Sequence, residues 1–325
     1  MKDIAKKMLE RATELLQSGE VARVIGWKKG DFCFDPTPAC FETVEELKDF
    51  TYDYFCGANL SKYLIEFAKK EGKTAVFLKP CDTYSFNQLV KEHRIKRENV
   101  YVIAVECLAK LDVEKIKAKC VSSILDVEVV DKDVKVSTLN GEVTLYKPEV
   151  VLVKCATCEK THQVKDEEII LHERPARDVD RFAEVKALEA MTEDERFAFW
   201  QEQLSKCIRC NACRNVCPAC SCLKCVFDNP QSGIAAKAND TEFEEKLFHI
   251  IRAYHVSGRC TDCGECSRVC PQNIPLHLLN RKFIKDINSL YGEFQAGELA
   301  EGKTPLTEYT EKDVEPKDVF NGGNE

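Results

Sequence analysis

The sequence predicts an α/β N-terminal domain, a mixed sheet with flanking helices, followed by a mainly α-helical dicluster ferredoxin domain. Three observations predict it. Over roughly the first 160 residues, short apolar runs such as TAVFLK and NVYVIAVEC alternate with amphipathic stretches, and unbroken apolar runs are how parallel strands buried on both faces read. Downstream, helical periodicity takes over. Two runs there, CIRCNACRNVCP and CTDCGECSRVCP, each fit C-x2-C-x2-C-x3-C-P, the spacing of 4Fe-4S ligands.

Taken in order, MKDIAKKMLERATELL is an amphipathic helix, VARVIGW a strand, and NLSKYLIEFAKKEGK a helix with a glycine near its end. TAVFLK follows as a strand, SFNQLVKEH as a helix and NVYVIAVEC as a strand. LDVEVVDKDVKVST and EVTLYKPEVVLVKC alternate in polarity and read as antiparallel strands joined by polar turns. DEEIILHERPARDVDR, charged and interrupted by Pro175, reads as a connector. Thr192 and Glu195 have capping-box spacing and open the helix that delivers the first cysteine run. TEFEEKLFHIIRAYHVSGRC is a further amphipathic helix ending near Gly258, and the last stretch, GELAEGKTPLTEYTEKDVEPKDVFNGGNE, is polar and reads as a tail lying loosely on the surface or on a partner. The expected division is 1–185, 186–290 and a tail of 291–325.

Charged residues make up 31% of the 325 and hydrophobic ones 44%, the balance of a soluble globular protein. No apolar run approaches the roughly 20 residues of a bilayer helix, and the first residues lack a signal-peptide core, so no membrane insertion and a cytoplasmic setting are expected. A net charge of -8 argues against nucleic acid as a partner, because phosphate backbones call for a basic surface. It suits docking on other redox subunits. Nineteen cysteines in such a chain read as metal ligands or redox groups rather than disulfides.

Three closely spaced thiolates grip one cubane, while the fourth of each run reaches the other cluster. One cluster is therefore expected on Cys207, Cys210, Cys213 and Cys270, the other on Cys260, Cys263, Cys266 and Cys217. Pro218 and Pro271 end the runs, and Ala212 and Gly264 leave room for backbone N–H groups that bond to the sulfides. Zinc, the competing metal, favours separated C-x2-C pairs. The 43 positions from Cys217 to Cys260 suit a ferredoxin whose motifs are separated by helices. In the first domain, Cys81, Cys107, Cys155 and Cys158 fall at or just past the C-terminal ends of predicted strands, the edge where open α/β sheets collect ligands. They either converge on a third cluster or are buried thiols acting as small hydrophobes.

NLSKYL, the FLKPCD turn, the strand ending VEC and the KCATC pair, in that order, resemble the beta-subunit family of coenzyme F420-reducing hydrogenases and formate dehydrogenases. The resemblance covers roughly residues 20 to 165 and implies a flavoprotein fold that binds FAD beside a 4Fe-4S cluster. By that resemblance the proximal cluster takes Cys81, Cys107, Cys155 and Cys158, and the flavin lies near Asn59, Lys62, Lys79, Asp82 and Ser85. No G-x-G-x-x-G or P-loop accompanies them.

Other residues stay open. Cys220, Cys222 and Cys225 in CPACSCLKC fit ligands of a fourth cluster, a small zinc site with Cys217, or spare thiols. Cys33, Cys40, Cys56 and Cys120 lack motif spacing and read as buried small residues, and no cysteine is chosen as a catalytic nucleophile. His162 reads as a polar neighbour of a cysteine pair, His249 and His255 as residues of the inter-motif helix, and KEHRIKREN as a solvated helix end.

The expected function is an oxidoreductase subunit, an iron-sulfur flavoprotein passing electrons between a two-electron carrier such as NAD(P)H or reduced deazaflavin and a chain of clusters. Its partners would be the other subunits of a hydrogenase, formate dehydrogenase or heterodisulfide-reductase-like complex. The alternative is a flavin-free ferredoxin-type adaptor between partner subunits, and a weaker one is a zinc scaffold.

Overall fold

Apolar runs become strands and amphipathic stretches become helices in a computed structural model that describes residues 1–158, 167–170, 178–229 and 242–306. The chain divides into two compact units, Met1–Phe86 with Glu92–Val179 and Asn87–Lys91 with Asp180–Glu325.

In the first unit the strands are β1 (Arg23–Lys28), β2 (Thr37–Phe41), β3 (Phe50–Thr51), β4 (Thr74–Leu78), β5 (Val100–Val105), β6 (Ile124–Val130), β7 (Asp133–Thr138), β8 (Gly141–Tyr146) and β9 (Glu168–Ile170). One sheet runs β2-β1-β4-β5-β9, with β3 also on β1. β1, β4, β5 and β9 are parallel, whereas β2 and β3 pair antiparallel with β1. Every residue of β4 is buried, as the apolar run requires of a strand covered on both faces. The Lys2–Gln17 helix buries Ile4, Met8, Ala12 and Leu15, a stripe at helical spacing whose larger side chains contribute roughly 1.5–3 kcal/mol each. β6, β7 and β8 form a separate antiparallel sheet. Val134, Val136 and Leu145 from it meet Leu111, Ile116 and Val151 in a second small core.

Four elements differ from the sequence reading. NLSKYLIEFAKKEGK forms only a short 3-10 turn, Leu60–Tyr63, and one helical turn, Leu64–Phe67. The helix expected at SFNQLVKEH begins earlier, at Pro80, where a fixed φ favours helix initiation; Thr83 Oγ1 donates to the Pro80 carbonyl. The end of EVVLVKC is a helical turn, Val153–Ala156, not a strand. Part of the expected connector is β9. Its charges conceal a strand because Glu168 accepts from Arg11 Nε at 2.8 Å and Glu167 pairs with Arg97.

The second unit is helical: Ala183–Glu189, Glu193–Ser205, Glu242–His255 and Leu276–Tyr291 are its longer helices. Thr192 and Glu195 form the capping box, with Glu195 N donating to Thr192 Oγ1 and Thr192 N to the Glu195 carboxylate. Leu204, Phe248, Ile274 and Leu276 pack with Cys213 and Cys266. The start of the polar tail is held down: Ala296 is buried, and the Asn288 side chain brackets the Phe294 backbone at 3.0 and 3.1 Å. Residues 307–325, like Pro175 and His162, lie outside the described residues. Among the described residues no helix is long and apolar enough to cross a membrane.

Candidate metal centres

Each C-terminal cysteine run folds as a tight loop that passes into a one-turn helix, Ala212–Asn215 or Glu265–Arg268. The two loops share a backbone pattern. Arg209 and Asn211 have φ of 54° and 61°, and Asp262 and Gly264, at the matching positions, 55° and 67°. Alternation of right- and left-handed residues turns successive N–H groups to one side, making an anion-binding concavity. Arg209 N donates to Cys207 Sγ at 3.4 Å within the first loop. A left-handed residue costs roughly 1–2 kcal/mol unless it is glycine, or asparagine or aspartate with a local hydrogen bond, so the sequence supplies Asn, Asp and Gly at three of four positions.

The fourth cysteine of the second run joins the first three of the first. Cys207, Cys210, Cys213 and Cys270 line one small cavity with Phe248 and His249. Burial pushes the Cys213 thiol up, and the charges of Cys270, Cys210 and Cys217 add to it. Cys217 lies with the other set. It packs with Val256, with Cys260 at the edge of that contact. Burial raises the Cys260 thiol well above its ordinary value, helped by Asp262, Cys217 and Cys263, and lifts Cys266 to about 11. A hydrogen bond from Cys220 instead lowers Cys217 to about 6, with Arg252 assisting against burial.

Mutual repulsion of this kind is relieved when a cation deprotonates the thiols as ligands. Donors to sulfur are also in place, since Asn280 Nδ2 lies 3.7 Å from Cys266 Sγ. Among the described residues no three His, Cys, Asp or Glu side chains close on a single ion; the first thiol set stands around a volume. Cavity, donors and thiolate chemistry fit a four-iron cube.

Acidic residues brace the second loop. Asp262 pairs with the buried Arg281 at 2.8 Å, and the buried Glu265 holds Arg268 through both oxygens. Of the next three cysteines, Cys220 bonds toward Cys217, Cys225 packs near Phe227 beside Arg214, and Cys222 is exposed. The structure does not gather those three at one point.

In the first unit, Cys81 sits in the first turn of the Pro80–Lys91 helix, just after β4. Cys107 lies two residues past β5, Cys155 in the Val153–Ala156 turn and Cys158 just beyond it. All four are half-buried. Burial raises Cys81 well above its ordinary value, with Asp82 and Cys158 adding to it, and takes Cys155 to about 11, with Cys107 and Cys158 contributing. Three separate segments thus bring four thiols within electrostatic reach of one another.

Sequence reasoning assigned Lys79 to the flavin and missed Lys110 and Lys154 beside the thiols. Lys79 Nζ donates to Asp82 at 2.7 Å and to the Ala58 carbonyl at 2.6 Å, and sits 4.5 Å from the Trp27 ring. Burial works against its charge, but Asp82 and Cys81 raise its pKa overall. Lys110 is buried over the Tyr52 ring at 3.9 Å, donates to the Asp53 carbonyl, and has its pKa lowered by burial despite Cys107 and Cys56 nearby. Lys154 donates to the Gly57 carbonyl at 3.1 Å and acts electrostatically on Cys81 and Cys155. Three cations beside four thiols suit an anionic thiolate-ligated cluster. Each lysine lies within three residues of one of the cysteines in sequence, but the carbonyls that hold them, Ala58, Asp53 and Gly57, come from a distant segment that only folding brings there. Cys56 is buried beside Asp53, while Cys33, Cys40 and Cys120 are half-buried.

Asn59, Lys79, Asp82 and Ser85, expected beside a flavin, are at most 1% exposed. Asn59 Nδ2 donates to Ser85 Oγ at 2.9 Å, and Ser61 Oγ donates to the Asp82 carbonyl at 2.6 Å. Their side chains tie the Asn59 turn to the helix that carries Cys81. Lys62 is half-buried.

Residues 203–274 match the family model described as the 4Fe-4S dicluster domain. The chain is similar to the F420-dependent formate dehydrogenase subunit beta of Methanocaldococcus jannaschii, at 24% identity over 83% of this chain and 86% of that protein. It is also similar to the F420-dependent formate dehydrogenase 1 subunit beta of Methanococcus maripaludis, at 25% identity over 66% and 71%. A chain of the F420-reducing NiFe hydrogenase complex from Methanosarcina barkeri matches at 16% identity and a TM-score of 0.37, covering 49% of this chain and 62% of that one. This chain therefore spans less than two thirds of that hydrogenase chain, and the likeness carries no argument.

Proposed function

We propose that this chain, similar to beta subunits of F420-dependent formate dehydrogenases and matching a 4Fe-4S dicluster domain over residues 203–274, is the iron-sulfur flavoprotein subunit of such a complex. In this reading it exchanges electrons between a two-electron carrier, a reduced deazaflavin, and partner redox subunits in the cytoplasm. One observation carries it: Cys270 stands with Cys207, Cys210 and Cys213 around one cavity while Cys217 stands with Cys260, the exchange of last ligands that two adjacent cubanes require.

FAD, when bound, supplies the conversion between hydride transfer and single-electron transfer. Cys81, Cys107, Cys155 and Cys158 hold the nearest cluster, and Lys79, Lys110 and Lys154 offset its negative charge. Asn59, Asp82 and Ser85 brace the turn behind Cys81, leaving Lys62 as the outermost of the five residues assigned to the flavin. Cys207, Cys210, Cys213 and Cys270 hold one further cluster, and Cys260, Cys263, Cys266 and Cys217 the other. Burial of Asn59, Lys79, Asp82 and Ser85 favours a second reading, a flavin-free adaptor with the same dicluster domain.

Anaerobic purification with iron, sulfide and flavin counts separates the two. About 12 irons and one flavin per chain, with flavin bleached by reduced deazaflavin, is the expected result. About 8 irons and no flavin would leave the adaptor, and about 16 would bring in Cys220, Cys222 and Cys225.

A further inference from the structure

The Glu242–His255 helix lies between the two cysteine runs in sequence and packs against thiols of both sets. Phe248 packs with Cys213 and Cys266, and Val256, just past the helix end, packs with Cys217. Arg252 comes one turn after Phe248 and one turn before Val256, on the same buried face. Only 2% of it is exposed, and none of Nε, Nη1 and Nη2 has a hydrogen-bond partner among the described residues. A guanidinium withdrawn from water without donating its N–H groups is strongly unfavourable, so a fold that keeps one holds an acceptor for it. The groups acting on it are sulfurs: Cys266, Cys213, Cys217 and Cys220.

We propose that Arg252 is a cation shared by the two C-terminal clusters, donating hydrogen bonds to sulfur of each and raising both reduction potentials. The proposal rests on the two-cluster reading above. A thiolate-ligated cube carries net negative charge and reduction adds one more, so a fixed positive charge in a dry interior favours the reduced form. Placed between the two, the charge moves both couples in the same direction and keeps them close in potential. Arg252 acts through the clusters and is a positioning and tuning residue.

The test uses the full chain, purified anaerobically as wild type, Arg252→Gln and Arg252→Lys, with iron and sulfide counts and a redox titration followed by electron paramagnetic resonance. With iron retained, Arg252→Gln should shift both reduction equilibria toward the oxidised form by about tenfold or more, which is about 59 mV for a one-electron couple. Arg252→Lys, which keeps the charge and changes the shape, should recover most of that shift. Unshifted potentials in Arg252→Gln, a shift in one cluster alone, or equal shifts in both variants would overturn the proposal. A measurement on wild type covers the case in which Arg252→Gln fails to load. With nitrogen-15-labelled arginine, hyperfine coupling to the guanidinium should be present in the signals of both reduced clusters, and its absence from either overturns the proposal. A wild-type chain lacking paired clusters would instead remove the reading on which it rests.

Discussion

The C-terminal thiols and the N-terminal thiols reach similar arrangements by opposite routes. Cys207 to Cys217 and Cys260 to Cys270 come from two short runs whose loops are shaped by left-handed residues. Cys81, Cys107 and the Cys155–Cys158 pair come from three places at the ends of β4, β5 and a helical turn, so their meeting depends on the sheet. The first kind of site is encoded locally. The second is encoded by the fold, and the two should fail under different insults.

The largest effect should come from breaking the sheet. Val102 is fully buried in β5, and Val102→Asp places an uncompensated carboxylate there at a cost of several kcal/mol. Iron per chain should fall from about 12 to about 8, with the paired dicluster signal kept; loss of that signal as well would break the comparison. A smaller effect tests the local loops. Gly264 has φ of 67°, so Gly264→Val should cost about 1–2 kcal/mol and speed iron release from the dicluster domain, whereas the N-terminal cluster keeps its signal. Iron-release kinetics followed by absorbance at each cluster decide it.

The smallest effect sharpens the comparison by testing the helices alone. Burial opposes ionisation of Glu189, but hydrogen bonds from Lys285 and Lys282 overcome it and hold its carboxyl below the ordinary value. Its contribution is therefore full above the ordinary glutamate pKa and fades as pH falls through the lower folded value. Glu189→Gln should destabilise by about 0.5–1 kcal/mol at neutral pH. Below pH ~4, where the carboxyl protonates in the unfolded chain, that difference should narrow in denaturant titrations.

The same contrast explains what could be read in the sequence. Ligand runs with fixed spacing carry their geometry with them, so the grouping of Cys270 with Cys207, Cys210 and Cys213 follows from C-x2-C-x2-C-x3-C alone. The mixed α/β class was legible because β4 and β5 are apolar throughout. β9 was not, since Glu167 and Glu168 look solvated until Arg97 and Arg11 are brought across from distant segments. The carbonyl partners of Lys79, Lys110 and Lys154 and the buried Asn59–Ser85 bond were hidden for the same reason. Periodicity reports which face is apolar, not which charged atoms folding will bring together. Arg252 carried a partial signal, a cation on the apolar stripe of an amphipathic helix, but its neighbours belong to two other segments.

Exchange of the last thiol has a mechanical consequence. On the proposed ligation, a cube joining Cys213 to Cys270 would fasten the chain to itself like an inorganic rivet. By the logic of cross-links, closing a loop of that size restricts the unfolded chain by about 4 kcal/mol. The stretch between the rivets is then free to lengthen or shorten at little thermodynamic penalty, since closure entropy grows only with the logarithm of loop length. Insertions between the two cysteine runs should be far better tolerated than any single residue added within either.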